Sequence, residues 1–247
     1  MTVLVILFVV AVWAGIQNAL AGGGTFLTLP ALMLTGMTAL EANITSTIAL
    51  FPGQVTSAFA GRAHLTRAGG LSFRALVVIS LVGGIVGAIL LLVTPSDIFK
   101  ALVPWLVLFA TAVFAYGSFM PRKADRPPVL GIVGMGAAQF AISVYGGYFG
   151  GGIGFLMLAA LTAAGLAIRN ASATKNVLAG VMNASAVAIF VFSPQVHWLQ
   201  AGIACVGAAL GGLIGGQVVN KVNPTVLRIL AVAIGVALTI GLFVRAP

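Results

Sequence analysis

The residues able to do chemistry fall into two matched groups, and almost all of them are uncharged. The first group is rich in glycine. Asn18 leads into Gly22, Gly23, Gly24 and Thr25, and in the second half Tyr145 and Tyr148 lead into Gly150, Gly151 and Gly152. Glycine permits a helix break and close approach to the backbone. A break exposes N–H groups at the start of the following helix, and with the helix dipole these hold an anion without a charged side chain. The plainer alternative is that the glycines only let helices pack. Two clusters at matched positions, each beside a short apolar segment, favour the break. A nucleotide-binding GxGxxG loop is no serious rival, because no strand precedes either cluster.

The second group follows each short segment: Asn43, Thr45, Ser46, Thr47 and Gln54, and later Asn170, Ser172, Thr174, Lys175, Asn176 and Asn183. Amides and hydroxyls inside lipid must find partners. Some could cap a helix start or tie helices together. Gln54 and Asn183 lie further in, where contact with a substrate or with packing is the better reading. Lys175 is the sharpest single residue. It falls near the start of its helix, where the dipole disfavours a cation, and no acid is near it in sequence. It either snorkels to headgroups or offsets the charge of a bound anion. Arg169, nearer the loop, reads as a topology marker.

The missing groups narrow the chemistry. Of the three acids, Glu41, Asp97 and Asp125, none lies inside an apolar span, Glu41 being at a span edge. Carboxylate proton relays and carboxylate cation sites are therefore not expected. His64 and His197 fall in separate loops, which does not make a metal site. The lone Cys205 offers no disulfide framework. No cofactor and no metal are expected, and no nucleophile–base pair that would make an enzyme.

These residues are carried by elements that lipid must surround. Apolar residues are 61% of the chain and charged ones 6%, against roughly 25% charged in soluble domains. Stretches such as 75–93, 101–119 and 226–244 are long enough to cross a hydrocarbon core about 30 Å thick. The net charge of +9 sits at span ends and not in one patch, so it marks topology and gives no nucleic-acid surface. Residues 1–21 imitate a cleaved signal peptide but lack a basic start, and they are expected to belong to the mature protein. Trp13 and Trp105 read as packing residues, Trp198 as an interface anchor. The class is an all-α polytopic membrane protein whose first partner is the bilayer. A homodimer is compatible with it.

Shifting the chain by 129 positions superposes its halves without a gap: Gly22, Gly23 and Phe26 fall on Gly151, Gly152 and Phe155, Thr45 on Thr174, Gln54 on Asn183, and Pro95 on Pro224. Equivalent loops differ in charge. Arg62, Arg67 and Arg74 have no basic counterpart in 190–203, whereas Arg169 and Lys175 answer a loop that carries only Glu41. Basic loops face the cytoplasm, so equivalent loops face opposite sides and the repeat is inverted. The first repeat is expected over 1–120, a cytoplasmic linker over 121–128, and the second repeat over 129–247. Inversion needs an odd number of crossings. Five segments per copy are expected, near 2–20, 24–38, 42–60, 74–93 and 100–119, then near 131–149, 153–167, 171–190, 199–219 and 226–244. The short second segment of each copy either crosses or forms half a hairpin that returns from the midplane; parity is unchanged either way. Both termini are expected outside the cytoplasm.

At residues 22–27 (GGGTFL) with Pro30, 42–47 (ANITST), 150–155 (GGGIGF), 171–176 (ASATKN) and 183–186 (NASA), the chain resembles the TauE/SafE family of sulfite exporters. That resemblance covers nearly the whole chain. It implies export or uptake of sulfite, sulfoacetate or other sulfonates across the bacterial inner membrane; the residues alone argue only for a small anion. The counterparts of Tyr145 and Tyr148 in the first copy are not aromatic, so the two half-sites differ. The expected function is transport of a small anion, a sulfur oxyanion or organosulfonate, by alternating access at a midplane site between the repeats. The alternatives are a passive anion channel, an intramembrane enzyme or assembly factor, and a structural or interaction protein.

Overall fold

The computed structural model describes residues 2–20, 23–61, 67–119, 129–218 and 224–245. Gly22, His64 and the linker 121–128 lie outside them. The described residues form ten helices: α1 (Thr2–Leu20), α2 (Thr25–Met33), α3 (Ala39–Gly61), α4 (Phe73–Val93), α5 (Ser96–Phe119), α6 (Ile132–Tyr148), α7 (Ile153–Ala163), α8 (Ile168–Phe190), α9 (Trp198–Val218) and α10 (Pro224–Arg245). No strand is found among them. Helix starts follow local chemistry. Thr38 and Glu41 cap α3 reciprocally: the Thr38 N–H donates to Glu41 Oε2 at 2.8 Å and the Glu41 N–H to Thr38 Oγ1 at 3.3 Å, a capping box. Ser72 caps α4 by accepting from the Ala75 N–H at 3.2 Å.

Helices α3, α4, α5, α8, α9 and α10 have 21 to 24 residues, or roughly 31–36 Å at 1.5 Å per residue. That suffices for a hydrocarbon core of about 30 Å. Their outer faces are apolar; Val78, Leu90 and Val93 of α4 and Trp105 and Leu108 of α5 all point outward. Trp13 and Trp105, read as packing residues, both lie on the outer surface of the bundle, where Trp105 packs edge-on to Phe243 at 5.0 Å. The chain is a multi-pass membrane protein.

Helices α2 and α7 are different. With 9 and 11 residues they span only about 14 and 16 Å, shorter than the segments expected over 24–38 and 153–167. They do not cross. The start of α7's hairpin partner closes on α7's end: the N–H groups of Val129 and Leu130 both donate to Ala163 O, at 2.8 and 3.2 Å. Helices α6 and α7 therefore enter and leave at one end of the bundle. In the first copy, α2 lies antiparallel against α3. Gly24 sits near Leu50 at the middle of α3, and Thr28 bonds Ser46 at 2.6 Å, nearer its start. So α2 also begins deep and returns to the end where α3 starts.

Packing repeats when α1–α5 are exchanged for α6–α10. Helix α1 lies on α9 as α6 lies on α4, α3 on α9 as α8 on α4, and α2 on α3 as α7 on α8; α3 with α8 and α5 with α10 are their own images. Glycines let the first pairs touch backbone to backbone. Gly207 faces Phe8 and Ala11 while Gly211 faces Val12 and Ile16; Gly83 faces Phe140 and Ser143 while Gly87 faces Val144 and Tyr148. Numbers rise together along each pair, so α1 runs parallel to α9 and α6 to α4. Within the first copy, a returning hairpin followed by two crossings makes α4 antiparallel to α1. Hence α9 opposes its own counterpart α4, and the copies are inverted.

The two ends of the bundle differ in chemistry. At one end His197 Nε2 lies 3.5 Å from Glu41 Oε1, and the His197 N–H donates to Thr45 Oγ1 at 3.4 Å. At the other, the Gly69 N–H donates to Ala164 O at 3.3 Å, bringing the loops of Arg67 and Arg169 together.

Candidate functional site

Both hairpins break at glycines that sequence register pairs. Gly23 and Gly152 have φ of 87° and 73°, a left-handed backbone that glycine adopts without strain. Helix α2 follows Gly24 and α7 follows Gly152. The first N–H groups of a helix lack the usual partner four residues back, and the dipole makes that end positive. Here the N–H groups of Phe26, Leu27 and Phe155 turn back to the carbonyls of Gly23, Gly24 and Gly152 at 3.0, 3.0 and 3.1 Å, so Thr25, Ile153 and Gly154 are the first-turn positions that line the cavity.

Both starts open on one cavity. It is lined by Asn18, Gly23, Thr25 and Gln54 from the first copy, and by Gly150, Gly152, Ile153, Gly154, Lys175, Asn176 and Ala179 from the second. Its water-accessible space is about 60 Å³, room for about four waters or one small oxyanion. Lys175 reaches the start of α7: a methyl placed on Gly154 would lie 3.6 Å from its Nζ. None of these lining residues is acidic. A cation and the starts of two helices therefore converge on one small volume, and each favours negative charge.

Of the residues singled out from sequence, Asn18, Gly23, Thr25, Gln54, Gly150, Gly152, Lys175 and Asn176 meet at this cavity. The others hold its walls. Gly24 packs against Ala14 and Leu50, and Gly151 against Phe149. Asn43 Nδ2 donates to the Tyr148 carbonyl at 3.0 Å, which ties α3 to the tip of the opposite hairpin. Ser46 bonds Thr28, and Thr45 accepts from His197. Tyr145 packs its ring on Phe109 and Phe149. Tyr148 packs on Phe99, and its hydroxyl donates to Thr94 Oγ1 at 3.4 Å. Ser172 is half-buried off the cavity. Thr174 is fully buried, and its hydroxyl has no hydrogen-bond partner among the described residues. Gly22 lies outside the described residues.

Asn183 stands behind Gln54. Its Nδ2 donates to Gln54 Oε1 at 2.5 Å across a separation of 129 residues. That is the repeat shift itself, so the pseudo-two-fold axis passes through this bond. Pro52, two residues before Gln54 in α3, removes one backbone hydrogen bond from the helix there. Sequence reasoning missed Ile153, Gly154 and Ala179 as lining residues. Gly154 was within reach, since it is the repeat counterpart of Thr25. A separate polar cluster, in which Gln139 Nε2 donates to Ser80 Oγ at 2.8 Å and to Ser143 Oγ at 3.4 Å, ties α4 to α6 and reads as helix-to-helix glue.

Comparison with known proteins places the chain among membrane transporters. The profile of the family described as "Sulfite exporter TauE/SafE" matches residues 7–242. A "Probable membrane transporter protein ORF9" from Sinorhizobium sp is 30% identical over 245 residues, covering 97% of this chain and 92% of that one. The "Probable membrane transporter protein YfcA" of Escherichia coli K12 is 28% identical over 241 residues, with 95% and 87% covered. A "Probable membrane transporter protein" of Haemophilus influenzae is 29% identical over 244 residues, with 96% and 92% covered. The chain belongs to the TauE/SafE sulfite exporter family of membrane transporters.

Proposed function

We propose that this chain is a secondary transporter for a small anion, a sulfur oxyanion or organosulfonate, held between the two hairpin breaks. The observation that carries this reading is the convergence on one cavity of Lys175 and the N-terminal ends of α2 and α7, with no acid in its lining. Backbone N–H groups of the helix starts, with Thr25, Asn18 and Asn176, would hold the oxygens, and the Lys175 ammonium would balance charge. The family description supports sulfite-like chemistry. Access alternates as one repeat rocks against the other, a mode common to inverted-repeat transporters.

The membrane is the bacterial inner membrane. The loops of Arg67 and Arg169 lie at its cytoplasmic face by charge, together with the linker 121–128 that divides repeats 1–120 and 129–247; both termini lie on the opposite face. The test is thermal stabilisation of the purified protein by sulfite, sulfoacetate, taurine, sulfate, acetate and inorganic cations. A ligand that binds only the native state raises its stability. Stabilisation by sulfur oxyanions is expected, with saturable counterflow in proteoliposomes. Stabilisation by cations alone would overturn the reading, and flux without saturation or counterflow would make the protein a channel.

A further inference from the structure

The bond between Asn183 and Gln54 fixes which face of an amide the cavity presents. Gln54 lines the cavity; Asn183 is only 2% exposed and does not. Asn183 Nδ2 donates to Gln54 Oε1 from behind the cavity, which occupies one of that oxygen's two acceptor sites and leaves the NH₂ as the end of the amide turned towards ligand. That group can only donate. Lys175 is likewise donor-only, as are the backbone N–H groups that start α7. We infer that Asn183 is a positioning residue that locks Gln54 as a donor, and that this pair selects ligands carrying acceptor oxygens at both ends over zwitterions that end in an ammonium. The inference rests on the anion-site reading above and sharpens it.

The physical basis is the penalty for facing donor with donor. An ammonium brought to the Gln54 NH₂ sets donor against donor in a small cavity lined largely by partly buried residues, and a hydrogen bond left unmade there is more damaging than a made one is helpful. A carboxylate at the same place accepts from it. Sulfoacetate and taurine are the matched probes: each has one sulfonate, and they differ in carrying a carboxylate or an ammonium at the other end. If Gln54 could turn freely, its oxygen would accept from taurine and the distinction would shrink.

The experiment is a double-mutant cycle read by equilibrium binding to purified protein, with sulfoacetate and taurine as ligands. Gln54→Met and Asn183→Leu keep volume and remove the amide. Each is expected to narrow the sulfoacetate-over-taurine preference by about tenfold, the scale of one hydrogen bond to a charged group. The double variant is expected to narrow it no further, because Asn183 acts only through Gln54. Asn183→Asp, assayed at a pH high enough to ionise the buried carboxyl so that it can only accept, should turn the Gln54 amide and shift preference towards taurine. In the Gln54→Met background that shift should fall to the effect of added charge alone. Asn183→Asp also keeps the test open should Asn183→Leu fail to fold. If the two single losses multiply in the double variant, or the preference survives in both, the positioning role is wrong while the anion site stands. If the unaltered protein binds neither sulfonate, the anion site falls too and takes this inference with it.

Discussion

Replacing Lys175 with methionine keeps the length of the side chain and removes the cation from the cavity wall. The structure sets the size of the effect. Nζ lies 3.6 Å from where a Gly154 methyl would stand, and the cavity holds about 60 Å³, so a bound oxygen would sit within about 5 Å of the ammonium. At that distance two unit charges attract by about 3 kcal/mol at an effective dielectric near 20. Each partner loses hydration on pairing, and the net value of a hydrogen bond to a charged group comes to about 1.5–3 kcal/mol. The expected loss, at the lower end of that range, is about 1.5–2 kcal/mol, or some 10- to 30-fold in Kd. Isothermal titration of sulfite or sulfoacetate against Lys175→Met and Lys175→Arg would measure it. Arginine should recover part of the affinity, because it keeps the charge but brings a wider, planar group. A Lys175→Met protein that folds and binds these anions with unchanged Kd would refute the charge argument, and the lysine would then be a headgroup anchor.

Three further outcomes follow from described geometry. Gly152→Ala forces a side chain onto φ +73° and within 3.2 Å of Ala110, so Tm should fall by the equivalent of about 1–2 kcal/mol; Gly154→Ala meets only ordinary contacts, at 3.6 and 3.8 Å, and should lower anion affinity with Tm little changed. Gly87→Val collides with the backbone of Val144 and Tyr148, whereas a methyl at Gly202 meets nothing within 4 Å; size-exclusion profiles should show the first variant aggregated and Gly202→Ala monodisperse. A phosphatase fused after the last residue should be active and a fluorescent protein dark in a bacterial host; the reverse pattern would invert the proposed topology.

What the sequence could show and what it could not divides along a physical line. Repeat register is a property of spacing, so the pairing of Gly23 with Gly152, and of Gln54 with Asn183, was readable before any coordinates. Inversion was readable from the placement of Arg67, Arg74 and Arg169. The direction in which a side chain faces was not. In a soluble helix a polar stripe marks the outside; here lipid and protein interior are both apolar, and most helices are apolar all round. Thr45, Ser46 and Tyr148 therefore looked as eligible for the cavity as Thr25 and Asn176, yet they bond to His197, Thr28 and Thr94. The choice between crossing and hairpin was also hidden. Residues 34–38 and 164–167 gave no decisive sign of a helix end, and it is the short observed lengths of α2 and α7, with the bonds from Val129 and Leu130 to Ala163, that reveal the turn back.

The Gln54–Asn183 bond carries a message about descent. If the chain arose by duplication, its forerunner was a pair of identical subunits facing opposite ways, and a residue on the axis met its own twin. A carboxylate there would face a carboxylate, and an ammonium an ammonium. A side-chain amide is among the few groups that can satisfy its twin, giving a proton from one copy and taking one with the other. Such a pair has two equivalent settings and no reason to prefer either. Once one copy held glutamine and the other asparagine, the tie was broken: the longer side chain reached the cavity and the shorter one stayed behind it. Fusion into one chain thus let a symmetric contact become a directional one, which twin subunits encoded by a single gene could not have achieved.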